Sequence, residues 1–357
     1  MVGFRFSLLS SIASQVNSTR QALRQYLLQV MSITALFTVS PAPTFAYDSL
    51  ESEINALERM AQASQRLTYD GIFVYRSADR METSRIVHTW QAGRVLERTE
   101  VLDGSLREMI RNGDETTSFF AHGKRLIVES GTTRRQFPAL LPSGLRHIQR
   151  YYTVQSAGQG RVAGLDSRVI ALIPRDQLRY GHEFWFDPVS GLLLRSTIIG
   201  GHGESLDSFS FTQVNIGASL PKNALKPRFP TQDLSVHKVT TTQVIPEDLG
   251  WVFKKQLPGF RRIQAMTRHS GNEPQTLHVL LSDGVATISV FIELSADPAG
   301  NTSVDASKAQ VRPVVISSMG ALNVYHRQLK EYTIVVVGEV PVLALKLLGD
   351  GIAQRNE

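Results

Sequence analysis

The most constraining feature of this chain is a run of short strand-like segments, cut by turn residues, between residues 70 and 211. Residues 71–75, 85–90, 94–102, 108–111, 116–120, 125–129, 168–173, 182–186, 192–199 and 208–214 read as strands, most of them rich in β-branched or aromatic residues. Between them stand Gln91-Ala92-Gly93, Asn112-Gly113, His122-Gly123-Lys124 and the five residues from Asp187 to Gly191, all turn chemistry. Strands about 8–12 residues apart and joined by hairpin turns predict one large antiparallel sheet or open barrel.

One helix is expected before the sheet, over residues 48–67. Leu50, Ile54, Leu57, Ala61 and Leu67 trace its apolar stripe, with Glu53, Asn55, Glu58, Arg59 and Gln62 on a solvated face. Asp48 and Glu51 fit a capping box. The β pattern breaks over residues 136–150, where Pro138 and Pro142 mark an excursion across one face of the sheet that ends in Leu145, Ile148 and Tyr151. Residues 217–233 hold three prolines and no periodicity, and form the best domain boundary.

The second part reads as mixed α/β. Residues 276–281 and 286–294 flank the hairpin turn Ser282-Asp283-Gly284, and residues 323–328 and 332–337 form a further hairpin. Pro258-Gly259-Phe260 is a turn, and residues 297–310 are polar. Pro341 opens a short helix over 342–348, stopped by Gly349.

The N-terminus reads as a secretory signal peptide over residues 1–46. Arg5, Arg20 and Arg24 precede an apolar run at 27–39, and Thr44-Phe45-Ala46 resembles a cleavage site. That run is shorter than the roughly 18 residues a spanning helix wants. Without the leader, 35 basic residues face 32 acidic ones, a balance too even to argue for nucleic acid. The mature chain is therefore expected in the periplasm. The chain has no cysteine, which excludes disulfide scaffolds, thiolate metal sites, cysteine nucleophiles and a lipoprotein's acylated cysteine.

No HExxH, GxSxG or Walker A sequence occurs. Gly158, Gly160 and Gly164 have the wrong spacing for a dinucleotide fingerprint. His182 and Glu183 are strand neighbours that point to opposite faces, and His202 lies in a glycine-rich loop. No catalytic residues, metal site or cofactor are expected, and the chain reads as a non-enzyme. The aromatics concentrate on the first-domain strands. They read either as a plain sheet core or as the lining of an apolar cavity for acyl chains, which bury at roughly 0.8 kcal/mol per CH₂. Arg134, Arg135, Arg146 and Arg150 bracket the excursion, as a solvated surface or as a contact for an anionic head group or acidic peptide.

The run from Tyr69 to Arg76 (YDGIFVYR), then Glu97-Arg98, Leu102-Asp103-Gly104, Arg107-Glu108 and the run from Ile110 to Asp114, resembles the opening sheet of the RseB/MucB family. So do Phe184-Trp185-Phe186-Asp187-Pro188 and the run from Gly191 to Arg195. Further on, Leu257-Pro258-Gly259-Phe260, the runs from Ser282 to Ala286 and Ser289 to Glu293, and Val337-Gly338-Glu339-Val340-Pro341 are similar to the same family, in the same order. The resemblance implies an α+β protein. Its larger N-terminal domain, over 47–216, is a half-open antiparallel β-barrel with helices in the concavity, similar to lipoprotein carriers. A smaller mixed α/β C-terminal domain follows over 234–350, and residues 351–357 form a tail without a clear match.

The resemblance also implies a function: binding the periplasmic domain of a membrane anti-sigma factor, shielding it from site-1 proteolysis, and release by lipid or lipopolysaccharide. Lipid contact is expected at Phe73, Tyr75, Trp90, Phe184 and Phe186, and partner contact at Arg146, Arg150, Tyr325, His326 and Arg327. Homo-oligomerisation is left open. The alternative reading is a lipid or lipoprotein carrier without a regulatory role.

Overall fold

The structure is a computed structural model that describes residues 45–121, 124–130, 145–229, 234–270, 275–294 and 314–355. The expected leader up to residue 44, His122-Gly123, the prolines of the excursion with Arg134 and Arg135, residues 230–233 of the linker and the polar stretch 297–310 lie outside the described residues. Among the described residues, no helix is long and apolar enough to cross a membrane.

Helix α1 (Phe45–Arg66) begins upstream of the expected cap at Asp48. Ile54, Leu57, Met60 and Ala61 recur at helical spacing and are almost fully buried. Glu53, expected in solvent, is buried too: Arg168 reaches it at 2.9 Å. A carboxylate is tolerated there because its charge is paired.

The first-domain strands are β1 (Tyr69–Ser77), β2 (Arg80–Gln91), β3 (Arg94–Val101), β4 (Arg107–Asn112), β5 (Glu115–Phe120), β6 (Arg125–Glu129), β7 (Tyr152–Val162), β8 (Leu165–Pro174), β9 (Gly181–Phe186), β10 (Leu193–Ile199) and β11 (Ser205–Ile216). They pair antiparallel in the order β7-β8-β9-β10-β11-β1-β2-β3-β4-β5-β6. Among the described residues β6 pairs with β5 and β12, and β7 pairs with β8 alone, so the first-domain sheet stays open between β7 and β6. One face packs on α1 and on the 3-10 turn Leu145–Arg150, whose Leu145 and Ile148 are fully buried. Alternation along each strand decides this: on β9, His182, Phe184 and Phe186 face inward while Glu183 and Trp185 are only half-buried.

Strand β7 is absent from the sequence expectation. Its Gly158 and Gly160 read as a glycine-rich stretch, yet they belong to the β7–β8 hairpin, with a bulge between Ser156 and Gly158. Glycine is required at 160 because a Cβ there would lie 2.6 Å from the Trp185 ring. A glycine inside a strand often marks such a close approach.

The second domain contains β12 (Ser235–Gln243), β13 (Trp251–Phe253), β14 (Arg261–Ser270), β15 (Thr276–Ser282), β16 (Thr287–Leu294), β17 (Val315–Met319), β18 (Leu322–Leu329), β19 (Tyr332–Gly338), helix α2 (Val342–Asp350) and β20 (Ile352–Gln354). Its main sheet runs β12-β14-β15-β16-β19-β18-β17. Strand β12 also pairs in parallel with β6, so one hydrogen-bonded sheet continues from the first domain into the second. Residues 352–354, set apart as a tail by sequence, form a strand on β13 because Ile352 and Ala353 bury against the second core. Helix α2 passes the expected stop at Gly349 and ends at Asp350.

Candidate functional site

Two regions carry the chemistry expected of this chain: the aromatic inner face of the first sheet and the junction between the domains. On the inner face, Phe73, Phe184 and Phe186 lie in one buried cluster with Phe209, Phe211 and the apolar stripe of α1. Phe73 meets Phe209 and Phe211 edge-on at 5.7 and 6.1 Å. The structure does not bring the other two expected residues there. Trp90 sits at the end of β2 and is 43% exposed. Tyr75 leaves the cluster, and its hydroxyl donates to Asp207 Oδ2 at 2.9 Å.

Beside the aromatics runs a row of buried polar groups in direct cross-strand register: Tyr69 on β1, His88 on β2 and Glu97 on β3. The Tyr69 and His88 rings stack at 4.8 Å, and His88 Nδ1 donates to the Leu67 carbonyl at 2.8 Å. Burial lowers His88 to about 4 and keeps it neutral. Burial also raises the Glu97 carboxyl to about 7, partly offset by Arg111 across the ladder. Among the described residues the Tyr69 hydroxyl and Glu97 Oε1 have no hydrogen-bond partner.

The expected partner residues fall in two places. Arg146 and Arg150 are exposed on the 3-10 turn of the first domain. Tyr325 is instead a core residue of the second domain, fully buried, with its hydroxyl donating to Asp350 Oδ1 at 2.7 Å. His326 and Arg327 are half-buried, and the Arg327 guanidinium donates to the Ile352 carbonyl, holding β20 in place. The inward parity of Tyr325 on β18 could not be assigned before the sheet's buried face was known.

Sequence reasoning passed over the junction residues. Arg179, in the loop between β8 and β9, enters the second domain with its side chain fully buried. Its Nε lies 2.9 Å from Asp283 Oδ2, its Nη1 lies 2.7 Å from Asp176, and its Nη2 donates to the Pro258 carbonyl. The guanidinium also lies over the rings of Tyr151, Phe260 and Tyr152 at 4.7, 5.2 and 5.7 Å. Asp283 is equally buried and accepts the Tyr152 hydroxyl at 3.1 Å. Its carbonyl accepts from His147 Nε2 at 2.9 Å. Gly259 allows this approach: its φ of +83° suits glycine, and a Cβ would strike the Tyr151 ring at 2.5 Å. The available signal was the pair of turns at Pro258-Gly259-Phe260 and Ser282-Asp283-Gly284, which are seen here to be the surfaces that receive the first domain.

A second contact lies around Asp207, whose Oδ1 accepts the backbone N–H of Ala321 at 3.1 Å. Glu339 is near enough that burial and the Asp207 charge raise it to about 7. Asn323 joins the same seam, donating to the Tyr180 hydroxyl at 3.0 Å. The linker is held as well. Arg98, buried against Glu108, donates to the Ala224 carbonyl at 2.7 Å, and Glu108 accepts the backbone N–H of Arg228 at 3.0 Å. A cavity of about 280 Å³ remains between linker and sheet, lined by Asp70, Arg85, Arg98, Lys226 and Arg228 among others. The arrangement binds and positions: two domains are clamped by buried charge, with an aromatic core behind the clamp.

This is the architecture of a two-domain binding protein, and comparison with known proteins gives its family. Residues 52–229 match the MucB/RseB N-terminal domain, and residues 246–353 match the MucB/RseB C-terminal domain. The chain is 30% identical over 313 residues to the sigma factor AlgU regulatory protein MucB of Pseudomonas aeruginosa, covering 84% of this chain and 92% of that one. It is 25% identical over 298 residues to the sigma-E factor regulatory protein RseB of Haemophilus influenzae, covering 82% and 88%. The chain belongs to the MucB/RseB family. Among solved structures it is similar to MucB crystallised with MucA(peri), with a TM-score of 0.62 and 26% identity over 85% of this chain and 98% of that one. The Pseudomonas aeruginosa MucA/MucB complex gives a TM-score of 0.64 at the same identity, over 85% and 99%.

Proposed function

We propose that this protein is a non-enzymatic periplasmic regulator of an envelope-stress sigma factor. It binds the periplasmic domain of a membrane anti-sigma factor, shields that domain from site-1 proteolysis, and is released by lipid or lipopolysaccharide. The observation that carries the reading is similarity through both domains to MucB, which is solved in complex with MucA. A carrier would need only the first domain. Here the second is fastened to it by a ladder, a buried ion pair and a docked linker, which favours a regulator that works as one two-domain body.

Lipid binding is supported by the aromatic cluster of Phe73, Phe184 and Phe186 under α1, an apolar surface against which acyl chains would bury favourably if the core parts to admit them. A ligand releases a partner only if it prefers the partner-free state. A 100-fold release needs about 2.7 kcal/mol of coupling. Exposed Arg146 and Arg150 are the basic surface offered to an acidic segment of the partner, and Tyr325 serves to hold β18 rather than to touch it.

The test is a titration of residues 47–357 with the periplasmic segment of the same organism's anti-sigma factor, with and without lipopolysaccharide fragments. Tight binding that lipid weakens supports both parts of the reading. Binding indifferent to lipid removes the release step. No binding by folded protein overturns the regulator and favours the carrier.

A further inference from the structure

Each domain lends a residue to the other's core. Leu178, from the loop after β8, packs on the second-domain cluster, and Val285, from the turn after β15, packs on the first-domain cluster. Between them lies the Arg179–Asp283 pair, with both side chains fully buried. Apolar residues of the same volume often fill such a space with equal or greater stability, whereas a buried ion pair demands one geometry. Here that geometry is heavily specified. Arg179 meets Asp176 on its own loop, Asp283 and the Pro258 carbonyl on the other domain, and three aromatic faces.

The pair is also tied to the interior of the first domain. Tyr152 donates to the same Asp283 Oδ2 that meets Arg179. The Tyr152 ring lies edge-on to His182 at 6.4 Å, and His182 stacks on Phe184 at 5.6 Å. Among the described residues His182 Nε2 has no hydrogen-bond partner, and the ring packs between Tyr152 and Phe184.

We propose that Arg179 and Asp283 form a latch that fixes the angle between the two domains, and that the Phe184–His182–Tyr152 stack couples this latch to packing in the first-domain core. A change at Phe184 shifts His182, then Tyr152, and removes one of the contacts that orient the Asp283 carboxylate. The latch does not depend on lipid as the signal. If lipid does enter the core, this stack is its physical route to the second domain.

The absence of native cysteine makes the test direct. Val189→Cys, on an exposed turn of the first domain, and Leu343→Cys, on α2, carry spin labels, and the distance distribution between them is measured without ligand. The parent is expected to give one narrow distance. Combining Arg179→Met with Asp283→Asn removes both charges and keeps the turn, because an Asn Oδ1 still accepts the Val285 and Ala286 amides. That variant should melt cooperatively yet at least double the width of the distribution. If it does not fold, Arg179→Lys, which keeps the charge and loses the fork, should broaden it instead. Phe184→Leu should also broaden the distribution. Ile86→Ala, an equally buried change on β2, should not. In a Tyr152→Phe background, Phe184→Leu should add nothing further. One narrow distance in the folded charge-free variant overturns the latch. Equal broadening by Ile86→Ala, or none by Phe184→Leu, overturns the coupling.

Discussion

Replacing Glu97 by Gln should make the protein more stable at pH 8 and leave it nearly unchanged at pH 4. The carboxyl is buried beside Tyr69 and His88, and burial raises it from 4.5 to about 7. The unfolded chain releases this proton near 4.5, whereas the folded chain holds it until about 7. Between those values the unfolded state binds fewer protons, so stability falls as pH rises, and the loss is complete above about 7. At roughly 1.4 kcal/mol per pKa unit, the charged carboxylate costs about 3 kcal/mol. Gln keeps the shape of the protonated acid without the charge, so most of that cost should vanish. About 1 kcal/mol moves the melting temperature by roughly 2–4 °C in a domain of this size. The variant should therefore melt about 6 °C or more above the parent at pH 8. Trp90 and Trp185 in the first domain report the transition by fluorescence, and urea midpoints at pH 4, 6 and 8 give its slope with pH. An unchanged midpoint at pH 8, or an equal gain at pH 4, would refute the reasoning.

Glu339 is raised to about 7 by burial and by Asp207, so Glu339→Gln should flatten the remaining loss of stability between about pH 4.5 and 7, read from the same titration. Gly160→Ala places a Cβ against Trp185 and should cost about 1–3 kcal/mol by urea unfolding, with a red-shifted tryptophan spectrum. Tyr325→Phe loses one hydrogen bond to Asp350 and should cost about 1 kcal/mol while leaving partner affinity unchanged, checked by calorimetric titration. A chain ending at residue 233 strips β12 from β6 and bares a sheet edge, so it should self-associate more strongly in sedimentation than the full chain.

Sequence alone determined the first domain's character, because strand alternation and hairpin chemistry are local properties. The segments at 71–75, 182–186 and 192–199, and the turn between the last two, correspond to β1, β9 and β10 of the fold. Helix α1 was legible for the same reason: its stripe repeats every three to four residues. The aromatic set was readable in composition, though only three of its five residues share the core. Trp90 lies at a strand end and Tyr75 is drawn to Asp207, and neither fact is local.

Tertiary structure decided everything that depends on partners distant in sequence. Strand β7 carries glycines that local propensity counts against a strand, and Trp185 on a different strand explains Gly160. Arg179 and Asp283 are ordinary loop residues until the fold brings together positions about a hundred residues apart and removes both from water. Buried charge has no signature in the order of residues, because its cost and its compensation are set by what surrounds it. The same holds for the parallel pairing of β12 with β6: each is a plausible edge by itself, and only their meeting makes two domains one sheet.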